Sequence, residues 1–479
     1  MNDLFQFSKK KIFFIILAGL LLRIITAIGN YGFLAVDDYT ILFFSIPAQV
    51  ASGFEGIDLT GSKEVRSILP EKVIQISANL AWKLGLIDPL NQVQFVFIVL
   101  GFFSILIPIY IYKLFNFLER KEEAVIGALL GSFFWILPFI STRALIEVMS
   151  APFLLISAYH FIKYIKKDSK IDLLIAILFV TIAAMFRFQS GFSAFIIPLY
   201  ILLNKKWKDI PIMCLGFIIC FFFSGLPDFI WRGTFHSSLI AYIQYNLKNS
   251  SNYGTSPFYS YIPTMILITL PPSLFSLYKN FNWKEKFIDL KTTFYFFLIF
   301  FVLHSIIPHK EERFLIPILP LFLVLLTPLI HYLYYDLRAY KRLIYFFIMN
   351  VIFLTLLAID TIQHNTIGVV RWLYKNENIK SVTIYEDSMN VIPMSYAIRG
   401  NLGISYMTKL DFDRLNSTNC EDIIVIRQDY YKEINKLLFN KKLIYTSKTS
   451  ILERILIQTN PRANKRRNSI DLYQDKSCN

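Results

Sequence analysis

Six consecutive residues, His309-Lys310-Glu311-Glu312-Arg313-Phe314, carry five ionisable side chains between two apolar runs, Phe294 to Pro308 and Leu315 to Ile330. Charge wedged at the junction of two membrane helices is costly and marks a functional site by default. Lys310 and Arg313 are cations suited to a phosphate or pyrophosphate-like head group. His309 would serve as a general base or as a donor to phosphate. Glu311 and Glu312 would orient these cations. The plainer reading of the same six residues is a salt-bridged connector between helices.

Other residues carry compatible chemistry. Asp37 and Asp38 follow the first apolar run, flanked by Phe33 to Val36 and by Tyr39 to Ile46. A carboxylate in apolar surroundings has a raised pKa and makes a candidate general base; a solvated loop or a helix cap is the bland alternative. Arg66 lies in the same long segment, and Arg187 sits between apolar runs beside Gln189. Arg143 and Glu147, four apart, would pair on one helix face. Arginines at such places either snorkel to the interface or bind phosphate, whose geometry the guanidinium matches. Asn249 to Tyr261 alternates polar and aromatic residues around Gly254 and Pro257. There Tyr253, Tyr259 and Tyr261 would stack on a sugar or line an aromatic belt.

The elements that must position these groups are membrane helices. The chain has 479 residues, 55% hydrophobic and 17% charged, with a mean hydropathy of +0.49. A soluble chain averages about 25% charged residues. About eleven runs approach the ~20 apolar residues that cross a bilayer. Their cores are 12–28, 93–114, 124–140, 146–162, 171–186, 191–203, 210–226, 262–278, 293–308, 314–334 and 343–361. The net charge of +15 resides largely in short loops: Lys9 to Lys11, Lys113 to Glu123, Lys163 to Lys170, Lys205 to Lys208, Lys279 to Lys291 and Arg338 to Arg342. Lys/Arg-rich short loops mark the cytoplasmic side, so the basic balance reports topology and not a nucleic-acid partner. The candidate site residues then share the opposite face, with the first outer segment spanning 30–92. No cleavable signal is expected; the first run reads as an uncleaved helix.

Beyond the last run the pattern changes. Val382 to Tyr385, Ile423 to Ile426 and Leu443 to Thr446 have strand chemistry, while Arg371 to Asn378 and Tyr430 to Leu438 read as helical. The expected organisation is a membrane domain over 1–362, a small extracytoplasmic α/β domain over 363–458 and a disordered tail over 459–479, on the basis of its basic and polar composition. The four cysteines have no ligand spacing; a Cys420–Cys478 disulfide is open but follows from no pattern. No metal cluster or cofactor motif is visible, so no cofactor is expected.

The ordered set of motifs resembles the mannosyltransferases of N-glycan and GPI-anchor assembly, which use dolichyl- or polyprenyl-phosphate-mannose, and their bacterial relatives. His309 to Phe314 matches the family's His-Lys-Glu-X-Arg-Phe signature. Asn252 to Tyr261 resembles its Phe-Tyr-Gly-Thr-His-Pro-Trp-His-Trp-Tyr stretch. Leu59-Thr60, Arg66-Ser67 and Pro70 resemble part of its first outer segment, and Thr142-Arg143 with Glu147 its Thr-Arg…Glu element. The resemblance implies a GT-C fold and inverting transfer of mannose to a glycan or glycolipid on the outer or lumenal face. By position, Asp37 matches the family's catalytic aspartate and Asp38 its acidic neighbour. Arg66, Arg187, His309, Lys310 and Arg313 then fall to the donor phosphate. Ala35-Val36 stands where the family has His-Pro, and Ser256, Phe258 and Tyr259 depart from its stretch. These departures point toward a bacterial relative in a cytoplasmic membrane.

Three other readings compete. One is a transferase of the same fold with another polyprenyl-phosphate sugar. Another is a lipid or sugar transporter, against which the charges cluster at one face instead of the bilayer midplane and no half-chain repeat is seen. The third is a scaffold that presents the C-terminal domain.

Overall fold

The computed structural model describes residues 9–35, 65–249, 254–269, 281–385, 392, 402–407, 419–431, 438–462 and 464–478. Asp37, Asp38 and Tyr253, together with Leu59-Thr60, lie outside these described residues. The chain divides into two compact units. The first comprises Met1–Ile25, Leu59–Val73 and Ile98–Thr355, and the second Thr26–Asp58, Ile74–Phe97 and Leu356–Asn479.

The helices begin with α1 (Lys9–Gly29), α2 (Ile68–Lys83), α3 (Pro89–Ser104), α4 (Leu106–Phe117) and α5 (Lys121–Phe133). They continue with α6 (Ile146–Lys167), α7 (Lys170–Phe186), α8 (Ile196–Leu203), α9 (Ile210–Arg232), α10 (Ser237–Asn249) and α11 (Tyr261–Leu267). Then come α12 (Lys291–Ile306), α13 (Leu319–Tyr335) and α14 (Tyr340–Ile359). Among the described residues, seven helical stretches are long and apolar enough to cross a membrane, against the eleven or so runs expected. A hydropathy window does not see where a helix breaks. The run at 124–140 stops at Phe133 and resumes as the short helix Leu137–Ile140. The runs at 171–203 become the 17-residue α7, a 3-10 segment Phe188–Phe195 and the 8-residue α8. The run at 262–278 lies partly outside the described residues.

In the first unit α6 is the central helix, buried along nearly its whole length from Glu147 to Tyr164. Helices α4 and α5 approach closely through Gly127 and Gly131. A Cβ on Gly131 would come within 2.8 Å of Pro108 Cα, and one on Gly127 within 2.5 Å of Ile111 Cγ2. A small residue every fourth position lets helix backbones approach in lipid, where dispersion contacts replace the hydrophobic drive. Across this contact reaches Arg23 of α1, fully buried. Its guanidinium donates to Ser104 Oγ (2.8 Å), Gly19 O (2.9 Å), Gly131 O (2.9 Å) and Ser132 O (3.3 Å). Two of those carbonyls belong to the last turn of α5, where intrahelical donors run out and a cation complements the dipole.

The second unit carries a five-stranded sheet of order β2-β1-β3-β5-β4. Its strands are β1 (Ser381–Tyr385), β2 (Gly403–Met407), β3 (Asp422–Arg427), β4 (Lys441–Ser447) and β5 (Ile470–Asp475). β1 runs parallel to β2 and β3, and β5 runs antiparallel to β3 and β4. The central β3 is apolar on both faces, with Ile423 to Ile426 all buried, as a covered strand requires. Helix α15 (His364–Lys375) packs Ile367, Val370 and Leu373 inward, and its Trp372 stacks on Tyr445 at 5.7 Å. Helix α16 (Ile451–Thr459) is capped by Ser450, whose hydroxyl accepts from the Glu453 amide.

The expected disordered tail over 459–479 is corrected by β5, which is an inner strand. Arg466 and Arg467 of the preceding basic run also have fixed partners. Arg467 pairs with buried Glu453 at 2.7 Å, and the Asn365 amide donates to the carbonyls of Arg466 and Asn468 at 3.0 and 2.8 Å. Composition averaged over the tail hid the short apolar strand Ile470 to Tyr473, whose burial comes only from tertiary pairing. Cys420 and Cys478 form a disulfide.

Candidate functional site

The charged knot is an ordered network. Glu311 is its hub: Arg313 donates to it through Nε at 2.6 Å and Nη2 at 3.1 Å, and His309 Nε2 lies 3.0 Å from Oε1. This two-pronged contact fixes the guanidinium plane as a single ammonium could not. Lys310 Nζ donates to the carbonyls of Ile307 (2.7 Å) and Ser256 (2.9 Å). Ile307 closes α12, so the ammonium caps that helix end. It also ties the knot to the Gly254–Pro257 segment, where the Ser256 amide donates to Pro308 O at 3.0 Å. Burial pulls the Lys310 ammonium below its ordinary value. Glu312 is exposed and opens the 3-10 turn Glu312–Ile318. The knot thus uses Glu311, not Glu312, as its acceptor.

Phe314 joins the knot to a second cation. The Arg313 guanidinium lies 5.3 Å from its ring centre and that of Arg187 lies 4.8 Å away, while His309 meets its ring at 5.8 Å in a T-shaped arrangement. Arg187 is an extended residue between α7 and the following 3-10 segment. Irregular backbone at this depth is tolerated where protein buries it. Arg187 is 2% exposed and pairs with Glu147, which is 1% exposed. The expected Arg143–Glu147 pair is corrected here. Helix α6 begins at Ile146, so the two residues do not share a helix face. Arg143 is fully buried, with Nη2 donating to Thr142 Oγ1 at 2.8 Å and its guanidinium 4.6 Å from the Phe139 ring centre.

Around the Arg187–Glu147 pair stand further polar residues, of which the sequence alone did not single out Tyr242 and His304. Gln189 donates to the Tyr242 hydroxyl of α10. His304 of α12 is buried, stacks on Phe300 at 3.9 Å and places Nδ1 2.9 Å from the Phe300 carbonyl. A carbonyl only accepts, so Nδ1 carries the proton and Nε2 is left as the second ring nitrogen. Tyr261 is buried near Glu311 and Arg187, whereas Tyr259 is 54% exposed. Among the described residues, Arg187 Nε and Nη2, Glu147 Oε2 and His304 Nε2 are buried without a protein hydrogen-bond partner. Donors left unmatched at such burial are costly and call for a ligand or water. His304 was visible as a lone titratable group in an apolar run. The Tyr242 contact left no sequence signal.

Arg66 lies in a neighbouring polar cluster. Its carbonyl accepts from Arg232 Nη1 at 3.1 Å, and Arg232 pairs with Asp228, which also receives the Ser238 amide at 2.9 Å. Glu71 belongs to the same cluster. Burial pushes its carboxyl up against the opposing pull of Arg232, Arg66 and Lys72. The Asp228–Arg232 spacing at the end of α9 was legible as a helical pair.

Comparison with known proteins accords with this architecture. The structure of ArnT from Cupriavidus metallidurans in the apo state superposes with a TM-score of 0.62 at 9% identity, over 96% of this chain and 97% of that one. ArnT from the same organism bound to undecaprenyl phosphate gives 0.58 at 10% identity, over 97% and 98%. These likenesses show the fold, the GT-C arrangement expected from the motifs. A GPI mannosyltransferase 3 of Kluyveromyces lactis is 25% identical over 181 residues, 32% of this chain and 29% of that protein. Its counterpart in Drosophila melanogaster is 30% identical over 106 residues, 21% of this chain and 19% of that protein. The chain therefore spans less than a third of the length of these curated relatives. The profile of the Alg9-like mannosyltransferase family matches residues 52–391, which takes in Arg66, Arg143, Glu147, Arg187 and the whole knot. The chain is an integral membrane protein and belongs to the Alg9-like mannosyltransferase family.

Proposed function

We propose that this protein transfers mannose from a polyprenyl- or dolichyl-phosphate-mannose donor to a hydroxyl of a glycan or glycolipid, with inversion. The observation that carries this reading is the buried Arg187, whose Nε and Nη2 are unmatched beside the Phe314 ring of the knot. A guanidinium so placed suits a phosphate oxygen, and Arg313 and Lys310 stand ready to share its charge.

The chemistry follows from charge. The acceptor oxygen attacks the anomeric carbon, the bond from that carbon to the phosphate oxygen breaks, and the lipid leaves as a phosphate monoester. Such a leaving group needs neutralised charge more than a proton. Arg187, Arg313, Lys310, Arg66 and His309 are assigned to that task. Asp37 is assigned the acceptor's proton, with Asp38 beside it, on the strength of their positions in the sequence. Glu311 and Glu147 orient the cations, and Tyr253, Tyr259 and Tyr261 are offered as the sugar-facing aromatics.

The active face is assigned to the extracytoplasmic or lumenal side. The Lys/Arg loops support this, and so does the Cys420–Cys478 disulfide of the second unit, since disulfides persist in oxidising compartments. Departures from the family stretch at Ala35-Val36 and Ser256 favour a bacterial cytoplasmic membrane. They also sustain a second reading, the same reaction with another sugar on the lipid phosphate. Membranes containing the protein, given labelled polyprenyl-phosphate-mannose, are expected to yield a mannosylated product, lost in Asp37→Asn. Transfer from a pentose donor but not from the mannose donor would establish the second reading. Transfer undiminished in Asp37→Asn and in Asp38→Asn would remove the base assignment.

A further inference from the structure

Far from the knot, at the other end of α6, stands a second constellation of charge and rings to which the proposed reaction assigns no residue. Tyr110, Lys113 and Phe117 recur at helical spacing on one face of α4, with Asn116 beside them. Tyr159, His160 and Lys163 face them from α6. These seven side chains line a cavity of about 400 Å³. Lys163 lies 16 residues beyond Glu147, or roughly 24 Å along the helix at 1.5 Å per residue. The cavity is therefore separate from the candidate active site.

Its polar side is built from behind. Asp172 of α7 accepts from Lys163 Nζ at 2.7 Å and lies 2.7 Å from His160 Nδ1, which restrains both side chains. Lys113 is exposed and sits 4.6 Å from the Tyr110 ring centre. Among the described residues it forms no ion pair with a carboxylate. Tyr110 and Tyr159 pack edge to face at 5.5 Å, and Phe117 meets Tyr159 at 6.2 Å. Lys167 adds a further ammonium 5.1 Å from the Phe117 ring centre.

We propose that this cavity binds the phosphate-bearing head group of an anionic phospholipid. The charge it offers is the ammonium of Lys113, which has no carboxylate partner among the described residues, with Lys167 nearby and Lys163, already partly balanced by Asp172, on the facing wall. The rings of Tyr110, Phe117 and Tyr159 supply an amphipathic wall where glycerol gives way to acyl chain. Volume favours a lipid over a bare ion: liquid water takes about 30 Å³ per molecule, so the cavity holds on the order of ten water volumes, ample for phosphate and glycerol together. Basic pockets between helices on the Lys/Arg-rich side of a membrane protein are suited to such head groups.

The test uses the full-length protein in neutral detergent, with thermal unfolding and native mass spectrometry as readouts. Phosphatidylglycerol, phosphatidylcholine and inorganic phosphate are added separately. Phosphatidylglycerol is expected to raise the unfolding temperature and remain bound, and phosphatidylcholine to do neither. Lys113→Gln/Lys163→Gln should weaken phosphatidylglycerol retention about tenfold, the loss of one to two charge-assisted contacts. Lys113→Gln alone, at an exposed residue, should weaken it several-fold without affecting the fold. Lys121→Gln/Lys208→Gln, which removes two exposed lysines elsewhere, should leave it unchanged. Equal weakening by both lysine pairs would reduce the effect to diffuse surface attraction and overturn the site. Stabilisation by inorganic phosphate equal to that by phosphatidylglycerol would overturn the lipid assignment.

Discussion

Arg187 closes its ion pair on Glu147 across 40 residues of sequence, and the two are 2% and 1% exposed. A pair at this burial is poor evidence for stability, because desolvation offsets most of its attraction. Its retention in an apolar interior points to use by a ligand, the more so because Arg187 Nε and Nη2 remain unmatched.

That distinction can be measured by a double-mutant cycle. Glu147→Gln and Arg187→Met alone should each lower stability by ~3–5 kcal/mol, because each strands a buried charge. The double variant should recover much of the stability but none of the transferase activity. Recovery of both would make the pair a structural strut.

Arg313 and Glu311 allow a finer test at the knot. Arg313→Ala should weaken donor use by roughly ten- to hundredfold, equivalent to a charge-assisted contact of ~1.5–3 kcal/mol. Arg313→Lys should be intermediate, since an ammonium keeps charge but not the two-pronged geometry. The loss should follow the lipid phosphate and not the sugar, as kinetics with different sugars on one lipid would show. Unchanged kinetics with lowered thermal stability would make the knot a connector.

Arg23 predicts the opposite division of effects. Its donors reach Ser104, Gly19, Gly131 and Ser132, and none of these acceptors belongs to the candidate site. Arg23→Met should lower stability by about 1.5–3 kcal/mol while the activity per folded molecule persists. Thermal unfolding in detergent alongside transfer assays would separate the two.

The second unit has its own acid sensitivity. Hydrogen bonds from the Ser477 hydroxyl and amide, and from Lys441, hold Asp475 down to about 2, against an ordinary value of 3.8. The carboxylate therefore favours the folded sheet above about pH 4, and that contribution is lost as pH falls from there through 2. Hydrogen exchange of residues 441–447 and 470–475 should quicken over that interval, and Asp475→Asn should flatten the response.

What the sequence shows plainly is what depends on local pattern. The six-residue knot, the long apolar runs and the strands around Val382, Ile423 and Leu443 can all be read by eye. The partner of Glu147 cannot, because the obvious candidate four residues earlier lies before the helix begins. Arg23 interrupts an apolar helix in full view, yet only the approach of α5 explains what it binds. The strand at Ile470 was concealed by the arginines and asparagines before it, which raise the polarity of any window that includes them. Local propensity is weak information wherever tertiary pairing decides.

Among the described residues β4 has one neighbour in the sheet, and that neighbour is β5. During synthesis, residues 441–447 emerge before the strand that will hold them, and Cys420 must wait for Cys478. Until residues 470–475 have emerged, β3 and β4 each present an open edge, the kind of surface that invites mispairing. Premature termination anywhere between Ser447 and Ile470 would leave those edges uncovered and a thiol unpaired. That single late strand covers two open edges at once, so the time it takes to dock sets how long both stay exposed to mispairing.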